Sequence, residues 1–188
     1  MRPPYDNNAA IFNAAKSAWL YVTKRKQSGK FVPQFFIDGQ TIQCISKYTH
    51  LGHVISANLD DKDDIINKRN SLCGKINNVL CYFCEHDALV KLKLLRSYCS
   101  DFYGSVLWDL SHSYVEDVCI AWLRGLRRVW GLSLRTHSAL IVPLCGLLQL
   151  KVELACRFAG FITKCLRSGN HIVRFIATRL YLQYCSHY

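Results

Sequence analysis

Four aspartates in one short run, Asp60, Asp61, Asp63 and Asp64, are the densest set of groups in this chain that could hold cations. Two-metal phosphoryl chemistry needs acidic oxygens converging on a pair of divalent ions, and a strand–turn–strand is what would present them. Here the aspartates stand directly ahead of a helical apolar pattern, where the helix dipole favours negative charge. They read as a helix start. Cys81, Cys84 and His86 have a two-residue spacing that could hold Zn²⁺, but no second CxxC or HxxxH follows to complete four ligands. Cys81 and Cys84 also lie one turn apart in a helical core pattern. His50 and His53, three apart in an extended stretch, are expected on opposite faces and so not to share an ion. No serine–histidine–acid arrangement, P-loop or GxGxxG stands in the sequence.

The richest concentration of positive charge and large aromatics is Ala121 to Ser138. Helical spacing puts Val115, Val118, Cys119, Trp122, Leu126 and Val129 on one side and Arg124, Arg127 and Arg128 on the other. Ser113 and Glu116 fit a capping box that would close the first-turn N–H groups, and Gly131 is a plausible stop. The plain alternative is a solvated charge face on a core helix. The rest of the chain weighs on that choice. Net charge is +11, unevenly spread: residues 1–117 carry 14 Lys+Arg against 12 Asp+Glu, a net of +2, while residues 118–188 carry 10 against Glu153 alone, a net of +9. A field of that sign concentrates polyanions, so nucleic acid ranks ahead of a lipid surface, with an acidic protein as the other partner class.

The ten cysteines sit mostly in helical apolar patterns without a framework of regular short loops, as expected of buried thiols in a reducing compartment. No hydrophobic signal segment opens the chain, and the longest apolar run, Ala139 to Leu150, is too short to span a bilayer and contains Pro143. The expectation is cytosol or nucleus, not secretion, with no membrane partner.

These groups are positioned by an α+β chain: a small N-terminal antiparallel β-sheet over residues 1–57, then a mainly α-helical bundle over residues 58–188. Residues 1 to about 14 read as an irregular entry. Ser17 to Thr23 reads as a strand, followed by a polar turn from Lys24 to Lys30. Phe31–Ile37 and Thr41–Ile45 flank Asp38 and Gly39, a pair that tolerates the positive φ angles of a tight hairpin. Tyr48 to Ser56 reads as a further strand, with Gly52 where another backbone approaches closely. From Asp60 the apolar period changes to 3.6. Ile65, Arg69, Leu72, Ile76, Val79 and Phe83 trace one helix side. After a break and cap at His86 and Asp87, Leu92, Leu95, Cys99, Phe102 and Val106 trace another. A looser segment around Arg135 leads to a short apolar helix interrupted by Pro143. Val152 to Leu166 follows, with Ala155, Cys156, Ala159, Ile162 and Leu166 inward. Gly169 is placed as a left-handed helix stop and Asn170 as the cap of His171 to Tyr184.

The order of these segments resembles the end of the palm, the thumb and the linker of reverse transcriptases from non-LTR (LINE-type) retrotransposons. Phe12, Asn13, Lys16 and Ser17 before a strand match an FNxxKS segment, and His50, Leu51 and Gly52 match an HLG turn. Further similar segments are Leu95 to Cys99, Tyr103 to Asp109, Ala121 to Leu132 and Arg135 to Ser138. The resemblance covers about 180 residues. It implies an RNA-directed DNA polymerase whose fingers and metal-binding aspartates would lie upstream of Phe12. The expectation is therefore a truncated product without catalytic residues, without the Mg²⁺ ligands the family uses, and not an enzyme on its own. By the same resemblance Lys16 matches the lysine thought to protonate leaving pyrophosphate. His50, Leu51 and Gly52 match the primer-grip turn, against the plainer reading of an ordinary bend. Arg124, Arg127, Arg128 and Arg135 would contact phosphates of an RNA or DNA template–primer duplex, with salt-sensitive binding and little sequence preference. The rival readings are a helical protein–protein interaction module and a non-functional relic whose strands have lost their partners.

Overall fold

The computed structural model describes residues 13–22 and 33–185, without the side chains of residues 180–185. It divides into two units, Met1–Asp61 and Lys62–Tyr188. The expected entry segment up to Phe12, the Lys24–Lys30 turn and the start of the Phe31–Ile37 strand lie outside the described residues.

Among the described residues of the first unit six short strands follow one another: β1 (Ala18–Leu20), β2 (Phe36–Ile37), β3 (Gln40–Thr41), β4 (Gln43–Ile45), β5 (Lys47–His50) and β6 (His53–Ser56). Among the described residues they pair as three two-stranded ladders rather than one sheet. β2 and β3 are antiparallel about Asp38 and Gly39, whose φ angles of 49° and 77° make the tight hairpin expected of that pair. β1, by contrast, pairs parallel with β4. Parallel neighbours need a long crossover rather than a tight turn, and the β2–β3 hairpin lies between these two strands in the chain. The stretch from Tyr48 to Ser56 is a hairpin and not a single strand, because Leu51 (φ 49°) and Gly52 (φ 77°) both turn left-handed and fold β6 back on β5. His50 and His53 therefore face each other as a cross-strand pair on one side of the ladder, contrary to the opposite faces that an extended strand would give.

The second unit is helical: α1 (Lys62–Tyr82), α2 (Ala88–Leu94), α3 (Ser113–Val129), α4 (Ser138–Leu144), α5 (Leu150–Leu166) and α6 (His171–Cys185). Small, largely antiparallel ladders followed by a mainly helical region make this an α+β chain, as the sequence periods predict. The aspartate run does open a helix, with Asp63 and Asp64 in the first turn of α1. Asp64 is fully buried and accepts the indole N–H of Trp108 at 2.7 Å, so its burial is matched by a hydrogen bond as a buried carboxylate requires. The apolar stripes of α1 and α3 meet in one core containing Ile65, Leu72, Ile76, Val115, Trp122 and Leu126.

Four local expectations need correction. The helix after Asp87 does not run to Val106: α2 passes into a π-helical turn, Leu95–Cys99, and stops. Phe102 and Trp108 reach the core from an irregular segment that turns at Gly104 (φ 83°). The start of α3 is capped by His112, whose Nδ1 accepts the Tyr114 N–H at 3.3 Å, while Glu116 pairs with Lys151 instead of closing a capping box. α5 buries Leu150 and Leu154 and leaves Ala155, Cys156 and Ala159 exposed, because the inward stripe begins at Leu150 and its phase is rotated from the expected one. Gly169 keeps an ordinary φ, and α5 ends through hydrogen bonds from Arg167 to Thr163 and Ser168 to Cys165. Asn170 does cap α6, accepting the Ile172 N–H at 2.9 Å. Gly131 (φ 61°) ends α3 in a Schellman arrangement, with Leu132 N–H on the Arg127 carbonyl.

All nine cysteines with a described side chain are free thiols, but they are not uniformly buried: Cys99 and Cys145 are, whereas Cys44, Cys81, Cys84 and Cys156 are exposed. Burial pushes the Cys99 thiol up to about 11, opposed only by Lys75. Cys119 is likewise pushed up to about 11, by burial and then by the Glu116 charge. Among the described residues no helix is long and apolar enough to cross a membrane.

A Cβ at position 125 would stand 2.6 Å from Ile76 Cδ1 and 3.3 Å from Cγ1 and Cγ2. Gly125→Ala gains up to about 1 kcal/mol of helix propensity but overpacks a filled core at about 1–3 kcal/mol. Net destabilisation is expected in urea unfolding, recovered in part by Ile76→Val; a Gly125→Ala protein more stable than the parent would mean the contact relaxes freely. For the thiols, iodoacetamide at pH 8 should label Cys44, Cys81, Cys84 and Cys156 well before Cys99 and Cys119, as read by peptide mass spectrometry. Because the buried thiols hold their protons more tightly folded than unfolded, the stability they confer is full below the unfolded value of about 8.5 and is lost as pH rises towards the folded value.

Candidate nucleic-acid interface

The arginines of α3 inherit their positions from the buried stripe beneath them. Val115, Val118, Trp122, Leu126 and Val129 are all buried, which turns Arg124 and Arg128 outward, one helical turn apart and exposed. Arg128 Nη1 donates to Asn77 Oδ1 of α1 at 2.6 Å, which orients its guanidinium across the two helices. Arg135 is exposed in the loop after α3.

Arg127 departs from the expected set. It is only 8% exposed, and its Nε and Nη2 donate to the Thr136 carbonyl at 3.3 and 3.0 Å while Nη2 also reaches Ser138 Oγ at 2.9 Å. These bonds tie the end of α3 to the start of α4. The guanidinium that helical spacing placed beside Arg124 and Arg128 is a bracket for the intervening loop, not a surface cation. Its geometry explains why: Arg127 stands next to buried Leu126 at the edge of the apolar stripe, and a planar fork of donors satisfies carbonyl and hydroxyl oxygens together.

In the first unit Lys16 is exposed at the end of a one-turn 3-10 helix, Ala14–Lys16. Asn13 Oδ1 accepts the Ala15 N–H at 3.0 Å, and the Ser17 hydroxyl donates to the Asn13 carbonyl at 2.8 Å. Asn13 and Ser17 thus fold the turn that presents the lysine. His50, Leu51 and Gly52 form the exposed tip of the β5–β6 hairpin. Leu51 is 71% exposed with a left-handed φ, a conformation that costs a side-chain-bearing residue about 1–2 kcal/mol. The tip therefore holds a large apolar side chain out in solvent at some conformational expense, on a turn where Asn or Asp is the usual first residue.

Two features of the helical surface lie outside the residues expected from the sequence. Lys68 lies over the Tyr103 ring at 5.9 Å and Lys75 over Tyr98 at 5.3 Å, with both tyrosines about half exposed. Lys93 and Arg96 share one exposed face with Ser97. The spacing of Lys93, Arg96 and Ser97 at i, i+3 and i+4 was the available signal for the second; the first joins residues distant in sequence. Among the described residues no group of three or more His, Cys, Asp or Glu side chains is arranged to hold a metal ion. No family model, no curated protein and no solved structure matches this chain.

Arg127→Ala should cost about 1.5–3 kcal/mol in chemical denaturation, the range for hydrogen bonds made by a charged group. Arg124→Ala should stay within about 0.5 kcal/mol, as a surface change. Equal effects would mean that Arg127 does not brace the loop.

Proposed function

We propose that this chain binds the phosphate backbone of an RNA or DNA duplex through the outward arginines of α3, without catalysis of its own, in keeping with the reverse-transcriptase thumb its motifs resemble. The observation that carries this reading is the exposure of Arg124 and Arg128 one turn apart on a helix whose other face is locked into the core. Cations held at fixed spacing on a rigid rod suit the regular charge of a duplex, and phosphate contacts set position without reading sequence. The net charge of +9 over residues 118–188 supplies a field of the right sign around them. Arg135 belongs with these two as a backbone contact and Arg127 does not. Lys16 and the His50–Gly52 tip would be separate contacts made by the first unit.

A second reading, a module that docks an acidic protein, is favoured by α6. There Ile172, Phe175 and Ile176 are more than half exposed beside Arg174 and Arg179, a mixed apolar and basic face of the kind an amphipathic acidic helix would cover.

Binding of the purified chain to an RNA–DNA hybrid at two salt concentrations tests the first reading. Arg124→Glu with Arg128→Glu should weaken binding and lower the slope of log affinity against log salt by about two, one for each phosphate contact removed. An unchanged slope would overturn it, and saturable binding to a protein with weak salt dependence would favour the second.

A further inference from the structure

The π-helical turn Leu95–Cys99 and the residues flanking it form one side of an open cleft of about 540 Å³ in the helical unit. Lys93, Arg96, Ser97 and Ser100 line it at i, i+3, i+4 and i+7, while Leu92, Leu95 and Cys99 of the same segment are buried in the core. Trp122, Leu147 and Leu148 supply its apolar lining. π turns recur at functional sites, and here the turn closes the helix, with Ser100 as its C-terminal cap.

The charges in the cleft do not cancel. Glu153 also lines it, but its carboxylate is held by Arg157 Nη2 at 2.6 Å, and the same nitrogen donates to the Ser100 carbonyl at 3.1 Å. Lys93 and Arg96 have no salt-bridge partner among the described residues. The Ser97 hydroxyl donates to the Lys93 and Leu94 carbonyls, and that of Ser100 to the Arg96 carbonyl. The hydroxyls are thus spent on the backbone, and the donors left facing the cleft are the ammonium and the guanidinium. With one acid neutralised by its own arginine, the site carries two uncompensated positive charges beside an apolar lining. A volume of this size exceeds what an inorganic anion fills and lies within the range of small-molecule clefts.

We propose that this cleft binds a nucleoside 5′-monophosphate, a phosphate monoester joined through a ribose to a flat base, with Lys93 and Arg96 on the phosphate and a face of the base against Leu147 and Leu148. Arginine meets phosphate oxygens with two parallel N–H donors and lysine adds a point charge, so the pair selects a dianionic terminal phosphate over the singly charged diester of a nucleic-acid chain. The phosphate could belong to a free nucleotide or to the 5′ end of a strand. The site does not depend on the arginines of α3 for either.

The test uses the full chain carrying Arg124→Glu and Arg128→Glu, so that failure here and failure of backbone binding are read separately. Adenosine 5′-monophosphate, adenosine and inorganic phosphate are titrated by calorimetry, then one short single-stranded oligonucleotide with a 5′-phosphate or a 5′-hydroxyl. The monophosphate should bind about tenfold or more tightly than either adenosine or phosphate alone. Lys93→Gln with Arg96→Gln should remove that preference while circular dichroism stays unchanged, as both residues are exposed. Preference for the 5′-phosphorylated oligonucleotide assigns the strand end as the source, and equal binding of the two oligonucleotides assigns the free nucleotide. No binding of the monophosphate, binding unaffected by the double substitution, or inorganic phosphate binding equally well would each overturn the proposal.

Discussion

Helices α1 and α3 touch where Gly125 faces Ile76, a contact too close for any side chain at position 125 without displacing its neighbour. That approach sets the rotation of α3 about its own axis. With Val118, Trp122, Leu126 and Val129 committed to the core, the remaining positions of the helix have no freedom: Arg124 and Arg128 are turned to solvent and Arg127 is not. Interiors are packed densely enough that such a phase is not continuously adjustable. The same contact brings Arg128 within reach of Asn77 on α1, so a surface cation is steadied by the core beneath it.

Arg127 illustrates how a positive charge is used when it falls at the edge of a buried stripe. Its donors meet a carbonyl and a hydroxyl rather than a carboxylate, which leaves the charge uncancelled while satisfying its hydrogen-bonding capacity. The loop it braces also places His137, whose Nδ1 accepts the Ala139 N–H at the start of α4, as His112 does at the start of α3. Histidines thus stand where serine, threonine, aspartate or asparagine are usual.

The first unit is built on turns more than on sheet. Its ladders are short and two-stranded, and β5 is exposed along its whole length, so little burial stabilises them individually. The two antiparallel ladders take their register from the left-handed pairs Asp38–Gly39 and Leu51–Gly52. In the first of these aspartate tolerates the conformation readily, whereas leucine in the second does not. The strained, exposed Leu51 is what distinguishes the β5–β6 tip from an ordinary hairpin end.

Much of the architecture was legible in the sequence. The change of apolar period at Asp60 marks the passage from strands to helices, the aspartate run opens α1, Gly131 stops α3, Asn170 caps α6, and the buried residues of α1 and α3 follow a 3.6-residue stripe. These are local properties, decided by side-chain spacing and backbone preference within a few residues. What periodicity could not decide were matters settled by partners far along the chain. The parallel pairing of β1 with β4 depends on a crossover. The inward face of α5 depends on which side meets the core. The buried Asp64 depends on an indole 44 residues away. Arg127 is the sharpest case: helical spacing assigns it to the charged face, and only the return of the chain through Thr136 and Ser138 supplies the oxygens that draw it in. A side chain's type and phase are written locally, but whether its charge faces solvent or is spent inside is decided by whichever groups the tertiary fold brings within hydrogen-bonding distance.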